Sequence, residues 1–271
     1  MRVLVLGHSD SAGVQLSEPA LAWPPQLQGL LNARSKERWE VKHVVFVPLR
    51  ADAIDAAQAA VDAFEPDFVM LHLNPYSFAI RVVGLKVRQR FGKRAGNWYR
   101  KWERRFDRAT SQGRIRVPLN HAARWCARHV IGVAAVSSYA AVVDAYTAIL
   151  HQLARDENLQ VVVMGGSRLG AAVQSATPGM TNAIIRFATE MEHVARSHRF
   201  VWFDTETSVA GPGRESLFLA DGVHRTAEGH QRLAAMLAPI LEAMAASHTT
   251  NEPAVLGRGI ASASAARPAA H

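Results

Sequence analysis

The sequence VLVLGHSDSAG at residues 3–13 combines an aliphatic run with a glycine-flanked turn. Its first four residues are aliphatic and predict a short buried β-strand. Glycines at positions 7 and 13 predict a turn directly after that strand, and the turn holds Ser9. In a parallel α/β sheet, ligands bind beyond the carboxyl ends of the strands, so we expect Ser9 to lie at a functional edge.

The rest of the chain alternates apolar runs with amphipathic stretches. We predict strands at residues 2–6, 41–47, 68–73, 160–164 and 200–203, and helices at about 23–32, 51–64, 138–156, 181–197 and 226–244. This alternation is typical of the α/β class and predicts a three-layer α/β/α sandwich with a five-stranded, mostly parallel sheet. We expect residues 1–244 to form a single domain and residues 245–271 to form a disordered tail.

A strongly basic segment interrupts this pattern. The 271 residues carry a net charge of +8, yet the part between Ile80 and Arg128 has fifteen Lys and Arg against two acids. Aromatic residues are interleaved with the cations at roughly helical spacing, which predicts a basic helical insertion at about 78–130, next to the expected site. It could meet an anionic substrate or an anionic membrane surface, or be a solvated helical cap. Nucleic acid is the least favoured partner, because the chain shows no recognised nucleic-acid motif.

The single cysteine, Cys126, excludes an internal disulfide and favours a reducing compartment. Without a partner nearby in sequence, it is expected to be a buried, unreactive thiol. We see no signal-peptide pattern and no apolar run long enough to span a membrane. The expected location is therefore cytoplasmic.

Three groups supply the elements of serine acyl chemistry. Ser9 offers a nucleophile, and Asp221-Gly222-Val223-His224 offers an imidazole base with a carboxylate three residues earlier. Asn74 follows the third predicted strand and could donate to a developing oxyanion, as could the Ser9 backbone N–H. Ser11 is a weaker candidate nucleophile because it lacks the glycine spacing.

These motifs resemble those of the SGNH hydrolases, the GDSL esterase/lipase superfamily. Gly7-His8-Ser9 with Gly13 is similar to the first block of that family, and His72-Leu73-Asn74-Pro75 to the third. Asp221-Gly222-Val223-His224 is similar to the fifth block in full. The resemblance implies a flavodoxin-like fold, a catalytic triad of Ser9, Asp221 and His224, and an oxyanion hole that includes Ser9 and Asn74. It covers roughly residues 1–77 and 138–244.

The chain departs from the family pattern at several positions. His8 stands where the family has Asp, and Pro48-Leu49-Arg50-Ala51 replaces the glycine of the second block. The missing donor could be the backbone N–H of Leu49 or Arg50. His8 and His72 could line the substrate cleft, or they could form local hydrogen bonds.

The predicted function is that of a serine esterase that cleaves carboxylic esters in two steps through an acyl-enzyme. The substrate would be a small-molecule ester or an acylated glycan or lipid. An O-acyltransferase that uses a sugar or lipid hydroxyl, and a non-catalytic protein that binds through the insertion, are the alternatives. The mechanism requires no metal and no organic cofactor.

Overall fold

Five parallel strands form the centre of the molecule. The computed structural model describes residues 1–80, 82–111, 126–127, 130–177 and 179–250. The strands are β1 (Arg2–Gly7), β2 (Glu40–Val45), β3 (Phe68–His72), β4 (Gln160–Met164) and β5 (Val201–Phe203). They lie in the order β2-β1-β3-β4-β5 and every pair is parallel. The predicted three-layer α/β/α fold is confirmed.

Helices cover both faces of the sheet. The larger ones are α1 (Trp23–Arg34), α2 (Ala53–Phe64), α5 (Tyr139–Leu153), α7 (Met180–Ser197) and α8 (Ala227–Thr250), while α3 (Tyr76–Ala79) and α6 (Ala171–Ala176) are short. Helix α4 (Val83–Ser111) lies in the basic insertion. The segments Pro19–Leu21, Thr205–Val209 and Arg214–Leu217 are 3-10 helices.

Alternation along β1 and β3 divides the apolar side chains between two cores. Leu4 and Leu6 point to one face, where they pack with α2, α5 and α7. Val3 and Val5 point to the other face, where they pack with α1 and α8. This two-sided burial is what a parallel sheet between two helical layers requires.

Two element ends differ from the prediction. Strand β2 stops at Val45, and the N–H of the next residue, Phe46, still donates to the Gly7 carbonyl of β1 at 2.6 Å. Helix α8 continues to Thr250 because its apolar stripe continues: Leu241, Met244 and Ala245 are buried in the α1–α8 core. The helix thus extends into the segment predicted as a disordered tail from residue 245, and residues 251–271 lie outside the described part.

The insertion contains a helical hairpin. Helix α4 is interrupted at Gly92, whose φ of +84° and ψ of 174° are not helical. The two limbs form a small core of their own around Val83, Val87 and Tyr99, to which Ala127 also contributes. Cys126 is exposed, and the expectation of a buried thiol is wrong, because its neighbour Ala127 takes the inward position. Much of the predicted insertion, residues 112–125 above all, lies outside the described residues.

Among the residues that the structure describes, no helix is both long and apolar enough to cross a bilayer.

Candidate active site

The candidate site lies where the winding of the sheet reverses. Strands β1 and β3 are neighbours, but the chain leads from β1 to β2 on one side and from β3 to β4 on the other, so the connections that follow these two strands run in opposite directions. A crevice opens at such a switch point beyond the carboxyl ends of the two strands. Ser9 follows β1 and Asn74 follows β3, and the topology therefore places both residues at this crevice.

A tight turn presents Ser9 to solvent. The His8 carbonyl accepts from the Ala12 N–H at 3.0 Å, and the Ser9 carbonyl accepts from the Val14 N–H at 3.1 Å. Gly13 adopts a φ of +65°, and a Cβ added there would lie 2.8 Å from the Cβ of Ala22. Only glycine fits this conformation and this close approach without strain. The second glycine of the motif is thus required by the turn that exposes the serine.

A second turn holds Asp221 and His224 between the last 3-10 helix and α8. The Leu219 N–H donates to the His224 carbonyl at 2.8 Å and so closes the turn at its base. Gly222 sits at the tip with a φ of +66°, and its carbonyl accepts from the Gly170 N–H at 2.8 Å. This turn is therefore attached to the loop that follows β4.

The two turns bring three sequence-predicted residues into one hydrogen-bonded chain. His224 Nε2 lies 3.1 Å from Ser9 Oγ, and His224 Nδ1 lies 2.7 Å from Asp221 Oδ2. Both distances fall within the range of a nucleophile bonded to its base and of a base bonded to its orienting acid.

The environment of Asp221 keeps it ionised. Partial burial opposes the charge, but hydrogen bonds from the His224 side chain and from the backbone N–H groups of His224 and Val223 outweigh it. The pKa of Asp221 is therefore lowered from its usual value. The two backbone bonds end on Oδ1 at 3.0 and 2.8 Å, which leaves Oδ2 to face the imidazole.

Gln15 is a site residue that the sequence analysis missed. Its Nε2 donates to Asp221 Oδ2 at 2.8 Å and lies 3.4 Å from His224 Nδ1. Its backbone is left-handed, with a φ of +74°, which few non-glycine residues adopt. Gln15 belongs to the turn that holds Ser9, and its side chain thus helps to fix the Asp221 carboxylate. The two residues are far apart in sequence, so no local pattern reveals this contact.

Asn74 is oriented by its neighbours. Its backbone N–H donates to the Tyr146 hydroxyl at 2.8 Å, and its Oδ1 accepts from the Tyr76 N–H at 3.1 Å. Because Oδ1 is engaged, the Nδ2 group is the end of this amide that could serve an oxyanion.

The two candidates for the second-block donor differ. The Arg50 N–H donates to the Val47 carbonyl at 3.2 Å, and its guanidinium binds Asp52. Arg50 is therefore already committed to its own turn. The backbone N–H of Leu49, a partly exposed residue, remains the better prediction.

His8 and His72 lie beneath the site. Both are buried, their ring centroids are 4.3 Å apart, and His72 Nδ1 bonds Ser11 Oγ at 2.8 Å. Burial is the main cause that lowers the pKa of His8 to about 4 and that of His72 well below its usual value. This placement agrees with local hydrogen bonding and argues against both cleft lining and Ser11 as a nucleophile.

A buried ion pair joins the residues that follow Ser9 and His224. Asp10 and Arg225, each almost inaccessible, form a salt bridge, and the Arg225 N–H also donates to Asp10 Oδ1 at 3.3 Å. Arg225 Nη2 donates to Ser167 Oγ at 3.0 Å in the loop after β4. Burial disfavours the Asp10 carboxylate, yet Arg225 lowers the pKa of Asp10 below its usual value. Three loops of the candidate site are thereby fastened together.

Solved structures similar to this chain include those of esterases and lipases. A lipase/acylhydrolase from Enterococcus faecalis has a TM-score of 0.57 at 13% identity and covers 89% of this chain and 95% of its own. A protein of the G-D-S-L lipolytic group from Desulfitobacterium hafniense has a TM-score of 0.51 at 12% identity, with coverages of 88% and 98%. Est24, a carbohydrate acetylesterase from Sinorhizobium meliloti, has a TM-score of 0.52 at 12% identity, with coverages of 90% and 99%.

The chain has the SGNH-hydrolase fold. Neither a protein-family model nor a curated relative matches it by sequence. The SGNH fold is therefore evident from three-dimensional structure and not from overall sequence similarity. Within the described residues, no group of three or more His, Cys, Asp or Glu side chains is placed to hold a metal ion.

Proposed function

We propose that this SGNH-fold chain is a serine esterase that hydrolyses small carboxylic esters through an acyl-enzyme. The observation that carries the proposal is the Ser9–His224–Asp221 chain of hydrogen bonds, with lengths of 3.1 and 2.7 Å. Ser9 is exposed while His224 is partly covered, so a substrate can reach the hydroxyl from solvent.

In the proposed mechanism, His224 Nε2 takes the proton of Ser9 Oγ as this oxygen attacks the ester carbonyl carbon. Asp221 accepts from Nδ1–H and stabilises the imidazolium. The Ser9 N–H, Asn74 Nδ2 and the Leu49 N–H are the proposed oxyanion donors. His224 then gives its proton to the departing alkoxide, and the alcohol leaves. In the second step His224 deprotonates a water, which attacks the acyl carbon. The bond from this carbon to Ser9 Oγ then breaks, His224 returns the proton to Ser9 Oγ, and the acid leaves.

The decisive test is turnover of p-nitrophenyl acetate by the wild type, Ser9→Ala and Ser11→Ala. We expect kcat to fall at least about a thousandfold in Ser9→Ala, because the nucleophile is removed. Ser11→Ala is the matched control: it removes a buried hydroxyl two residues away and should keep most of the activity. A fluorophosphonate should label the wild type and Ser11→Ala but leave Ser9→Ala unlabelled. Equal turnover by the wild type and Ser9→Ala contradicts the assignment.

The exposure of Ser9 also admits an alcohol as acceptor, which supports O-acyl transfer to a sugar or lipid hydroxyl as a second candidate. A sugar added to the same assay distinguishes the two, because an acylated sugar forms only if its hydroxyl competes with water. Absence of both turnover and labelling would favour the non-catalytic alternative.

A further inference from the structure

Helix α4 presents an exposed face that the proposed ester chemistry does not use. Its second limb, residues 93–111, carries Arg94, Trp98, Lys101, Trp102 and Arg105 at spacings of three, four and one, so these side chains share one side of the helix. All five are exposed, and 67% of the Trp98 surface is accessible. We call this set the tryptophan face.

The opposite side of the same limb packs against the first limb, residues 83–91. Gly96 allows the close contact, because a Cβ added there would lie 2.5 Å from the Cβ of Arg88. Gly84 faces the ring of Tyr99 in the same way, at 3.3 Å. Two glycines therefore bring the limbs together and direct the tryptophan face outward.

The charge of the helix indicates the partner. Helix α4 contains ten Lys and Arg against two acids, Glu103 and Asp107. Phe91, next to the kink at Gly92, is 61% exposed. Indole rings prefer the boundary between headgroups and acyl chains, and the long stems of Lys and Arg lie along apolar surface while their charges reach phosphate. An anionic lipid leaflet complements both properties of this face.

Geometry favours a leaflet over nucleic acid. The tryptophan face lies on the side of the second limb opposite to its contact with the first limb. Proteins that bind single strands instead stack bases on aromatic residues along a positively charged groove.

We propose that the tryptophan face docks this protein onto an anionic phospholipid surface. The insertion begins a few residues after Asn74. Its two ends lie together, because Val82 forms an antiparallel bridge with Ala134 and the Val136 N–H donates to the Ser77 carbonyl. The surface proposal goes beyond the esterase proposal and stands independently of it.

The test is flotation of the full chain with vesicles of phosphatidylcholine alone and with roughly one-third phosphatidylglycerol. We expect binding only to the anionic vesicles, and loss of that binding at about 0.5 M salt. Arg94→Gln/Lys101→Gln/Arg105→Gln should weaken binding about a hundredfold, since each cation near an anionic leaflet contributes roughly a fivefold factor. Trp98→Ser should weaken it about tenfold through lost apolar burial.

The matched control removes the same charge elsewhere. Arg34, Lys36 and Arg38 are exposed at the end of α1, and Arg34→Gln/Lys36→Gln/Arg38→Gln should float like the wild type. Equal loss in both triple variants, equal binding to neutral vesicles, or no flotation of the wild type overturns the proposal. Binding to a DNA duplex without flotation also overturns it, in favour of nucleic acid. Ser9→Ala should float normally, so failure here and failure of the esterase proposal are distinguishable.

Discussion

At the scale of single residues, Asp221 decides how His224 is held. One carboxylate oxygen accepts two backbone N–H groups and the other faces Nδ1 at 2.7 Å. In the proposed mechanism, the carboxylate therefore selects the tautomer that leaves Nε2 able to accept the Ser9 proton. Without the charge, the protonated imidazole of the proposed transition state would lack its nearest counterion.

Asp221→Asn tests this role. The amide retains the shape but can donate to Nδ1 and so favours the wrong tautomer, and we expect kcat to fall by about 10³–10⁴. Asp62→Asn, at an exposed carboxylate on α2 that accepts from Gln58, is the matched control and should be neutral. The measurement is kcat and KM for p-nitrophenyl acetate. A fall of less than tenfold would mean that Asp221 is not the orienting acid.

The residues that sequence could identify are those with a local signature. Ser9 stands in a glycine-flanked turn after a strand, and the Asp221–His224 pair is a complete four-residue motif. Gln15 and the Asp10–Arg225 pair have no such signature. Gln15 meets Asp221 across 206 positions and Asp10 meets Arg225 across 215, so only the assembled sheet reveals them.

At the scale of elements, the nucleophile turn depends on Gly13. Gly13→Ala forces a side chain into a left-handed backbone and against Ala22, and we expect a loss of about 1–3 kcal/mol in the free energy of unfolding. Gly29→Ala is the matched control, since Gly29 lies in α1 with open space around it and should gain up to about 1 kcal/mol. Urea denaturation measures both. A neutral Gly13→Ala would show that the turn is not so constrained.

Element boundaries followed from sequence where apolar runs were bounded by turns, as in β4. The boundaries were not predicted where tertiary packing outweighed the local amino-acid composition. The Ala-rich end of α8 reads as a loose tail, yet its apolar side chains fill the core with α1. The hairpin in α4 could not be predicted from sequence either, because the kink at Gly92 and the contact at Gly96 depend on how the two limbs pack together.

At the scale of the whole molecule, three buried histidines make the fold sensitive to acid. Burial is the main cause that lowers the pKa of His8 and His230 to about 4 and that of His72 well below its usual value. In the unfolded chain these three imidazoles bind protons near pH 6.5, whereas in the folded protein they stay neutral at that pH. We therefore expect the free energy of unfolding to fall as pH drops from about 6.5 towards 4, by several kcal/mol in total. The lowered pKa of Asp10 does not contribute in this pH range. At any pH above the usual pKa of an aspartate, this carboxylate is ionised in both the folded and the unfolded state.

Thermal unfolding between about pH 7.5 and 4.5 at constant ionic strength measures this effect. We expect Tm to fall steeply below about pH 6.5. His72→Gln should lower Tm at neutral pH but flatten the profile, because one buried base is gone. His193→Gln, at an exposed histidine, should leave the profile unchanged. A flat wild-type profile would show that these imidazoles accept protons in the folded state.

The wide separation of Ser9 and His224 has a consequence for synthesis. A ribosome makes the nucleophile turn more than two hundred residues before it makes the base. The helix that follows the base, α8, packs on α1 through Leu233 and Leu237, beside Trp23 and Leu27. The packing of α8 on α1, which completes the core between these two helices, therefore also brings His224 to Ser9. A nascent or prematurely terminated chain carries only an unassisted hydroxyl, so on the proposed chemistry ester cleavage would report that the chain had been completed and had folded.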